Sequence, residues 1–267
     1  MTDFKGRVLI IAGSDSGGGA GVQADIKTVT VLGGYAATAI TAITVQNTLG
    51  VSAVHPIAPD LVAAQARAVL DDIGADAIKT GMLGSAETVE AVAAILAGAA
   101  VPAVVDPVMM AKGGAALLED RALSAFRARL VPLASVLTPN APEAAALTGL
   151  AVETTDDLRR AAEALLAMGA GAVLMKGGHI PGETVTDLLI SQAGETSFSG
   201  PRIDTRHTHG TGCTLASAVA TGLAQGLALE AAVARAWAYV AEAIRQAPGF
   251  GAGAGPLDHA WPVREQR

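Results

Sequence analysis

The sequence predicts an α/β fold, a doubly wound and mostly parallel central sheet with an antiparallel hairpin on one edge. Three observations carry that expectation. Short, near-continuous apolar runs rich in Val, Ile and Ala recur along the chain, as strands covered on both faces require. Ala-rich segments of helical spacing lie between them, joined by Gly, Pro or Asn turns. The stretch 184–204 instead holds two β-like runs around a Gln192-Ala193-Gly194 turn. A chain of 267 residues, 51% hydrophobic and 16% charged, can bury one large core, and no linker divides it, so a single domain over 1–267 is expected.

RVLIIAG (7–13) is the first strand, and the Gly cluster GSDSGGGAGVQAD (13–25) after it opens a helix. ATAITAITVQ (37–46) is the second strand. In the helix 59–72, Leu61, Ala64, Ala68 and Val69 recur at helical spacing, with Asp60 as N-cap. DAIKTG (76–81) is the third strand. The helix 85–98 begins at a Ser, carries Glu87 in its first turn and ends on Gly98. AVVDPV (103–108), SVLTPN (135–140) and AVLMKGG (172–178) complete the parallel strands, with the helix 156–169 preceding the last. The hairpin, two helices at 213–225 and 229–247, and the Gly-rich tail GFGAGAGPLDHAW follow.

Composition excludes several function classes. A net charge of −7 without a basic stripe argues against a nucleic-acid partner. The longest apolar runs, such as 91–100, are too short and Ala-rich to span a bilayer, and the first residues lack a signal-peptide pattern. Cys213 is the one cysteine, so no intramolecular disulfide forms and a cytoplasmic protein is expected. No P-loop motif is present. Gly19, Gly21 and Ala24 fit the dinucleotide fingerprint only loosely, because they stand past the strand end and Gln46, not an acid, closes the second strand.

In an open parallel sheet, ligands bind outside the carboxyl ends of the strands. The unusual residues sit at those ends: Gly13-Ser14-Asp15, Gln46-Asn47, Gly81-Met82, Asp106, Asn140 with Glu143, and Lys176-Gly177-Gly178. Asp106 and Glu143 are of the type that holds Mg²⁺ through water, although Glu143 alone reads better as a first-turn acid facing the helix dipole. Lys176 ends an apolar strand, where a charge is costly unless paired or ligand-bound. Gly210-Thr211-Gly212-Cys213 precedes a helix, so unpaired N–H groups there favour a phosphate or a developing oxyanion. At that helix start the Cys213 thiolate is expected to be stabilised relative to a free thiol of pKa about 8.5; the alternative is a small packed thiol. His179, His207 and His209 lack the third ligand that a transition-metal site needs.

Seven segments taken together, GSDSGGGAGVQAD, ITVQNT, KTGML, DPVMMAKGG, TPNAPEA, LMKGGH and DTRHTHGTGCTLASA, resemble the hydroxymethylpyrimidine/phosphomethylpyrimidine kinases of the ribokinase-like superfamily. The resemblance runs in order from about residue 7 to residue 245. It implies a three-layer αβα sandwich and transfer of the ATP γ-phosphoryl to 4-amino-5-hydroxymethyl-2-methylpyrimidine, then to its monophosphate, in thiamine diphosphate synthesis. It maps the pyrimidine pocket to Gly13, Ala20, Asp25, Thr44, Gln46, Met82, Val108 and Cys213. The ATP and Mg²⁺ side maps to Asp106, Asn140, Glu143, Lys176, Thr208 and the anion hole Gly210, Thr211 and Gly212. Where many sugar kinases of the superfamily carry an Asp base, Cys213 stands here. Closure is expected from loops, for instance 110–116 or the Gly-rich stretch after Arg206, and a homodimer is the expected assembly. The rivals are a pyridoxal kinase, a non-catalytic pyrimidine-phosphate sensor and, third, a dinucleotide oxidoreductase.

Overall fold

In the computed structural model, which describes residues 5–109 and 120–264, nine described strands hydrogen-bond into one sheet. They are β1 (Arg7–Asp15), β2 (Tyr35–Asn47), β3 (Gly50–Pro56), β4 (Ala77–Thr80), β5 (Ala103–Val105), β6 (Val136–Leu137), β7 (Ala172–Met175), β8 (Thr184–Ser191) and β9 (Gly194–Pro201). Their order is β3-β2-β1-β4-β5-β6-β7-β8-β9. From β2 to β7 the neighbours are parallel, while β3, β8 and β9 are antiparallel to theirs. The winding reverses between β1 and β4, which opens a crevice beyond their carboxyl ends.

One face of the sheet carries α1 (Gly21–Val31), α7 (Thr211–Ala224) and α8 (Leu229–Arg245); the other carries α2 (Pro59–Asp72), α3 (Ala86–Gly98), α4 (Asp120–Ala125), α5 (Ala141–Thr148) and α6 (Thr155–Ala167). β1 shows why its run is apolar throughout. Val8, Ile10 and Ala12 enter the core under α1 and α7, whereas Leu9 and Ile11 enter the opposite core under α2 and α3. No described helix is long and apolar enough to cross a membrane.

Three expectations need correction. β3 was not foreseen: most of its residues are exposed, so it lacks an apolar run, and the sheet carries antiparallel strands at both edges. The N-cap of α2 is Ala58, and Asp60 sits in the first turn. That helix buries Val62, Ala63 and Ala66, while Leu61 is 54% exposed and Ala64 and Ala68 face out. In an Ala-rich helix the apolar stripe has too little contrast to set its own rotation. The loop 110–116 lies outside the described residues.

Candidate active site

At the ends of β5, β6 and β7 a cation stands among carboxylates. The Lys176 ammonium donates to Asp106 Oδ1 at 2.9 Å and lies 3.5 Å from Glu143 Oε2. Thr138 donates to the same Asp106 oxygen at 2.9 Å. Asn140 and Glu143 cap α5 reciprocally: the Glu143 N–H reaches Asn140 Oδ1 at 2.9 Å and the Asn140 N–H reaches Glu143 Oε2 at 2.8 Å. Glu143 is thus the expected first-turn acid, is in addition half of a capping box, and also stands in the charge cluster. Asp187 of the edge hairpin accepts the Gly177 N–H at 2.7 Å and so holds the turn that carries Lys176.

Burial alone would push the Lys176 pKa down, but Asp106 and Glu143 outweigh it and raise it, so the ammonium stays charged. Burial pushes the Glu143 carboxyl up to about 7; Asp106 adds to the rise and Lys176 opposes it. The Asp187 carboxyl rises to about 6 through burial, against the Gly177 hydrogen bond and the Lys176 charge.

The start of α7 faces this cluster. Gly210 caps the helix with φ +85°, and a Cβ there would collide with the Gly19 carbonyl oxygen, so the two Gly-rich segments close on each other. A Cβ on Gly212 would stand 3.0 Å from Lys176 Nζ and 3.8 Å from Asp106 Oδ2. The first-turn N–H groups, the ammonium and the carboxylate thus border one small space. Thr211 donates its hydroxyl to the Thr208 carbonyl at 2.8 Å, tying the preceding loop to the helix.

Cys213 departs from expectation. Burial raises its thiol to about 11, although Lys79 and a Gly21 hydrogen bond pull the other way; the Asp25 and Asp106 charges add to the rise. The helix start does not yield a thiolate at rest, because desolvation and two carboxylates exceed what one cation and the helix terminus supply.

The other expected residues cluster beyond β1, β2 and β4. Thr44 donates to the Ser14 carbonyl at 2.9 Å and lies 3.2 Å from Gln46 Oε1. The Met82 thioether methyl packs against the bare Cα of Gly13, where a Cβ would collide with it. Ala20 caps α1, and its N–H goes to Asp15. Val108 is half-buried after β5 and donates its N–H to the Asp106 carbonyl at 2.9 Å. Asp25 is withdrawn from any open space: fully buried, it pairs with Lys79 at 2.8 Å and accepts the Ser217 hydroxyl at 2.7 Å.

Sequence reasoning missed several residues. Lys79, a charge inside the apolar DAIKTG run, carries the same signal that singled out Lys176. The first Gly cluster opens α1 as expected, and its Gly17, Gly19 and Ala20 N–H groups all donate to Asp15, a partner that the sequence reading did not identify. His209 was weighed as a metal ligand; it lies 2.9 Å from Asp15 instead.

Residues 15–258 match the family model described as phosphomethylpyrimidine kinase. A Streptomyces coelicolor hydroxymethylpyrimidine/phosphomethylpyrimidine kinase is 54% identical over 97% of this chain and 96% of its own. The crystal structure of a Clostridium difficile phosphomethylpyrimidine kinase superposes with TM-score 0.80 at 41% identity, covering 90% of this chain and 100% of that one. The ADP complex of Bacillus subtilis pyridoxal kinase superposes with TM-score 0.89 at 37% identity, covering 96% and 98%.

Proposed function

The chain belongs to the phosphomethylpyrimidine kinase family, and from that premise we propose how its residues divide the work. It is a phosphotransferase of thiamine biosynthesis that uses ATP to phosphorylate hydroxymethylpyrimidine and then the monophosphate. One observation supports the division best: the start of α7, Lys176 and Asp106 border the same space around Gly212. Such a transfer needs chiefly positioning and charge stabilisation. The N–H groups of Gly212 and Cys213, with Gly210 and Thr211 shaping the turn and Thr208 anchoring it, receive the transferring phosphoryl. Lys176 offsets its charge, and Asn140 holds Glu143 in place.

The donor set also fits Mg²⁺. Two carboxylates share one ammonium, 2.9 and 3.5 Å from it, so oxygen ligands for a hard cation already stand together. No group of three or more His, Cys, Asp and Glu side chains among the described residues is placed to hold a metal, so water and phosphate oxygens would complete the shell of an ion held by Asp106 and Glu143. Bound there, it supplies charge neutralisation at the phosphates.

On the acceptor side, Gln46 reads the aminopyrimidine edge, Gly13 and Met82 form one wall, and Thr44, Ala20 and Val108 surround it. Asp25 acts through Lys79 and not by touching substrate. The thiolate fraction of Cys213 accepts the alcohol proton late, as the new P–O bond forms and the bond from the γ-phosphorus to ADP breaks. The chain works as one domain, since a single sheet carries both halves of the site. We further propose a homodimer through the open β3 edge, beside which Ile43, Val45, Leu49 and Val54 are exposed; sedimentation at the single-chain mass would refute it.

The direct test incubates the protein with Mg-ATP and, separately, the aminopyrimidine alcohol, its monophosphate and pyridoxal, with products identified by mass. The mono- and then the diphosphate are expected. Phosphorylation of pyridoxal alone would replace the substrate assignment.

Cys213→Ala should lower kcat roughly 10²-fold or more with nucleotide KM little changed. With the thiol at about 11, only roughly 10⁻⁴ of it is ionised at neutral pH, so native turnover should climb about tenfold per pH unit from 6.5 to 9. The slope should flatten in the variant. An equal slope in both proteins would remove Cys213 from proton transfer.

A further inference from the structure

Asp15, His209, Gln46 and Thr44 touch in sequence, and their donors and acceptors can be counted. Asp15 is 3% exposed. Its Oδ1 accepts the Gly17 N–H at 2.8 Å; its Oδ2 accepts Gly19 at 3.1 Å and Ala20 at 2.8 Å, and lies 2.9 Å from His209 Nε2. Burial opposes that charge, but His209 and the backbone donors hold the carboxyl below its usual range. An ionised carboxylate only accepts, so His209 Nε2 must carry a hydrogen.

The same Nε2 lies 3.2 Å from the Gln46 amide nitrogen, and the amide oxygen lies 3.2 Å from Thr44 Oγ1. In that sense two donors face each other at one end. At the other end, Thr44 has given its only hydroxyl hydrogen to the Ser14 carbonyl at 2.9 Å and has lone pairs alone to offer an oxygen. Turning the amide by a half-rotation removes both mismatches: its oxygen shares the single Nε2 hydrogen with Asp15 Oδ2 in a three-centre bond, and its nitrogen donates to Thr44. Two independent neighbours thus demand one orientation. One oxygen lone pair and one N–H of Gln46 then remain for a ligand.

We propose that His209, anchored by Asp15, and Thr44 lock the Gln46 amide in that orientation, making His209 the positioning residue that lets the site accept a 4-aminopyrimidine and reject its 4-oxo counterpart. The inference rests on the aminopyrimidine assignment above. The 4-amino ring presents a donor beside a ring-nitrogen acceptor; the 4-oxo ring, with hydrogen on that nitrogen, presents the reverse. An amide free to turn reads either edge. A locked amide reads one.

The test measures kcat/KM with Mg-ATP for 4-amino-5-hydroxymethyl-2-methylpyrimidine and for its 4-oxo analogue in the native chain, His209→Leu and His209→Gln. The native protein should favour the amino compound by about 10²-fold or more. His209→Leu, which removes the donor, should bring the ratio within about tenfold, whereas His209→Gln, whose amide N–H replaces Nε2–H, should stay within about threefold of the native ratio. A slower His209→Leu that keeps the native ratio would overturn the lock. If His209→Leu does not fold by circular dichroism, Thr44→Val removes the hydroxyl at the other end, and retention of the ratio there is equally fatal. A native protein that phosphorylates neither pyrimidine refutes the assigned function; one that phosphorylates both equally refutes the lock alone.

Discussion

Lys79→Met should destabilise the protein by about 3–5 kcal/mol, read as a fall in the urea midpoint without a change in m. Lys79 and Asp25 are both fully buried and 2.8 Å apart, joining β4 to α1, while the Ser217 hydroxyl from α7 satisfies the second Asp25 oxygen at 2.7 Å. Burial already raises the Asp25 pKa against the pull of Lys79. Methionine keeps the volume but leaves that carboxylate without a counter-charge, close to a second one, Asp106. Lys79→Met combined with Asp25→Asn removes both charges and should recover much of the loss, because the cost lies in the orphaned ion and not in absence of the pair. A single-variant loss under about 1 kcal/mol, or a double variant as unstable as the two losses summed, would show that the pair is not the keystone of this layer.

Lys176→Ala should cut kcat roughly 10²–10³-fold and raise the nucleotide KM as well, since the lost ammonium would face phosphate in both the ground and transition states. What remains at the site is Asp106 and Glu143 with no cation between them. Lys176 is the group that holds Glu143 down, so in the variant its carboxyl climbs above about 7 and keeps its proton at neutral pH. Raising the pH then ionises it and restores a carboxylate that can hold Mg²⁺, while Cys213 still ionises, so the variant's activity should climb with pH at least as steeply as the native enzyme's. An unchanged nucleotide KM would place Lys176 outside the phosphate site. A thermal melt of the same protein separates loss of binding from loss of fold.

Much of the site was legible because its signals are local. A charge at the end of an apolar strand, as at Lys176, has few physical explanations. Two glycines around Thr211 before a helix announce a backbone that must come close to something, and Gly212 does lie against Lys176 and Asp106. The strands of the parallel sheet were legible for the same reason, since burial on both faces makes nearly every position apolar, Lys79 being an exception that is paired with Asp25. β3 was not, because an edge strand answers only to its hydrogen-bond partner β2 and is free to be polar.

The sequence by itself determined the parallel strands and the longer helices between them, the Gly-flanked turn at 210–213, and the identity of the groups that can hold charge, because each follows from neighbours within a few residues. Tertiary structure alone decided their partners. Asp25 meets Lys79 across 54 residues, Gln46 meets His209 across 163, and His209 meets Asp15 across 194. It also reversed the sign of one local argument: a cysteine at a helix start should ionise readily, yet Cys213 is pushed up to about 11. Helix termini and propensities act over one turn of chain, whereas desolvation and Coulomb interaction depend on what packs in from elsewhere, and in a buried crevice those are the larger forces.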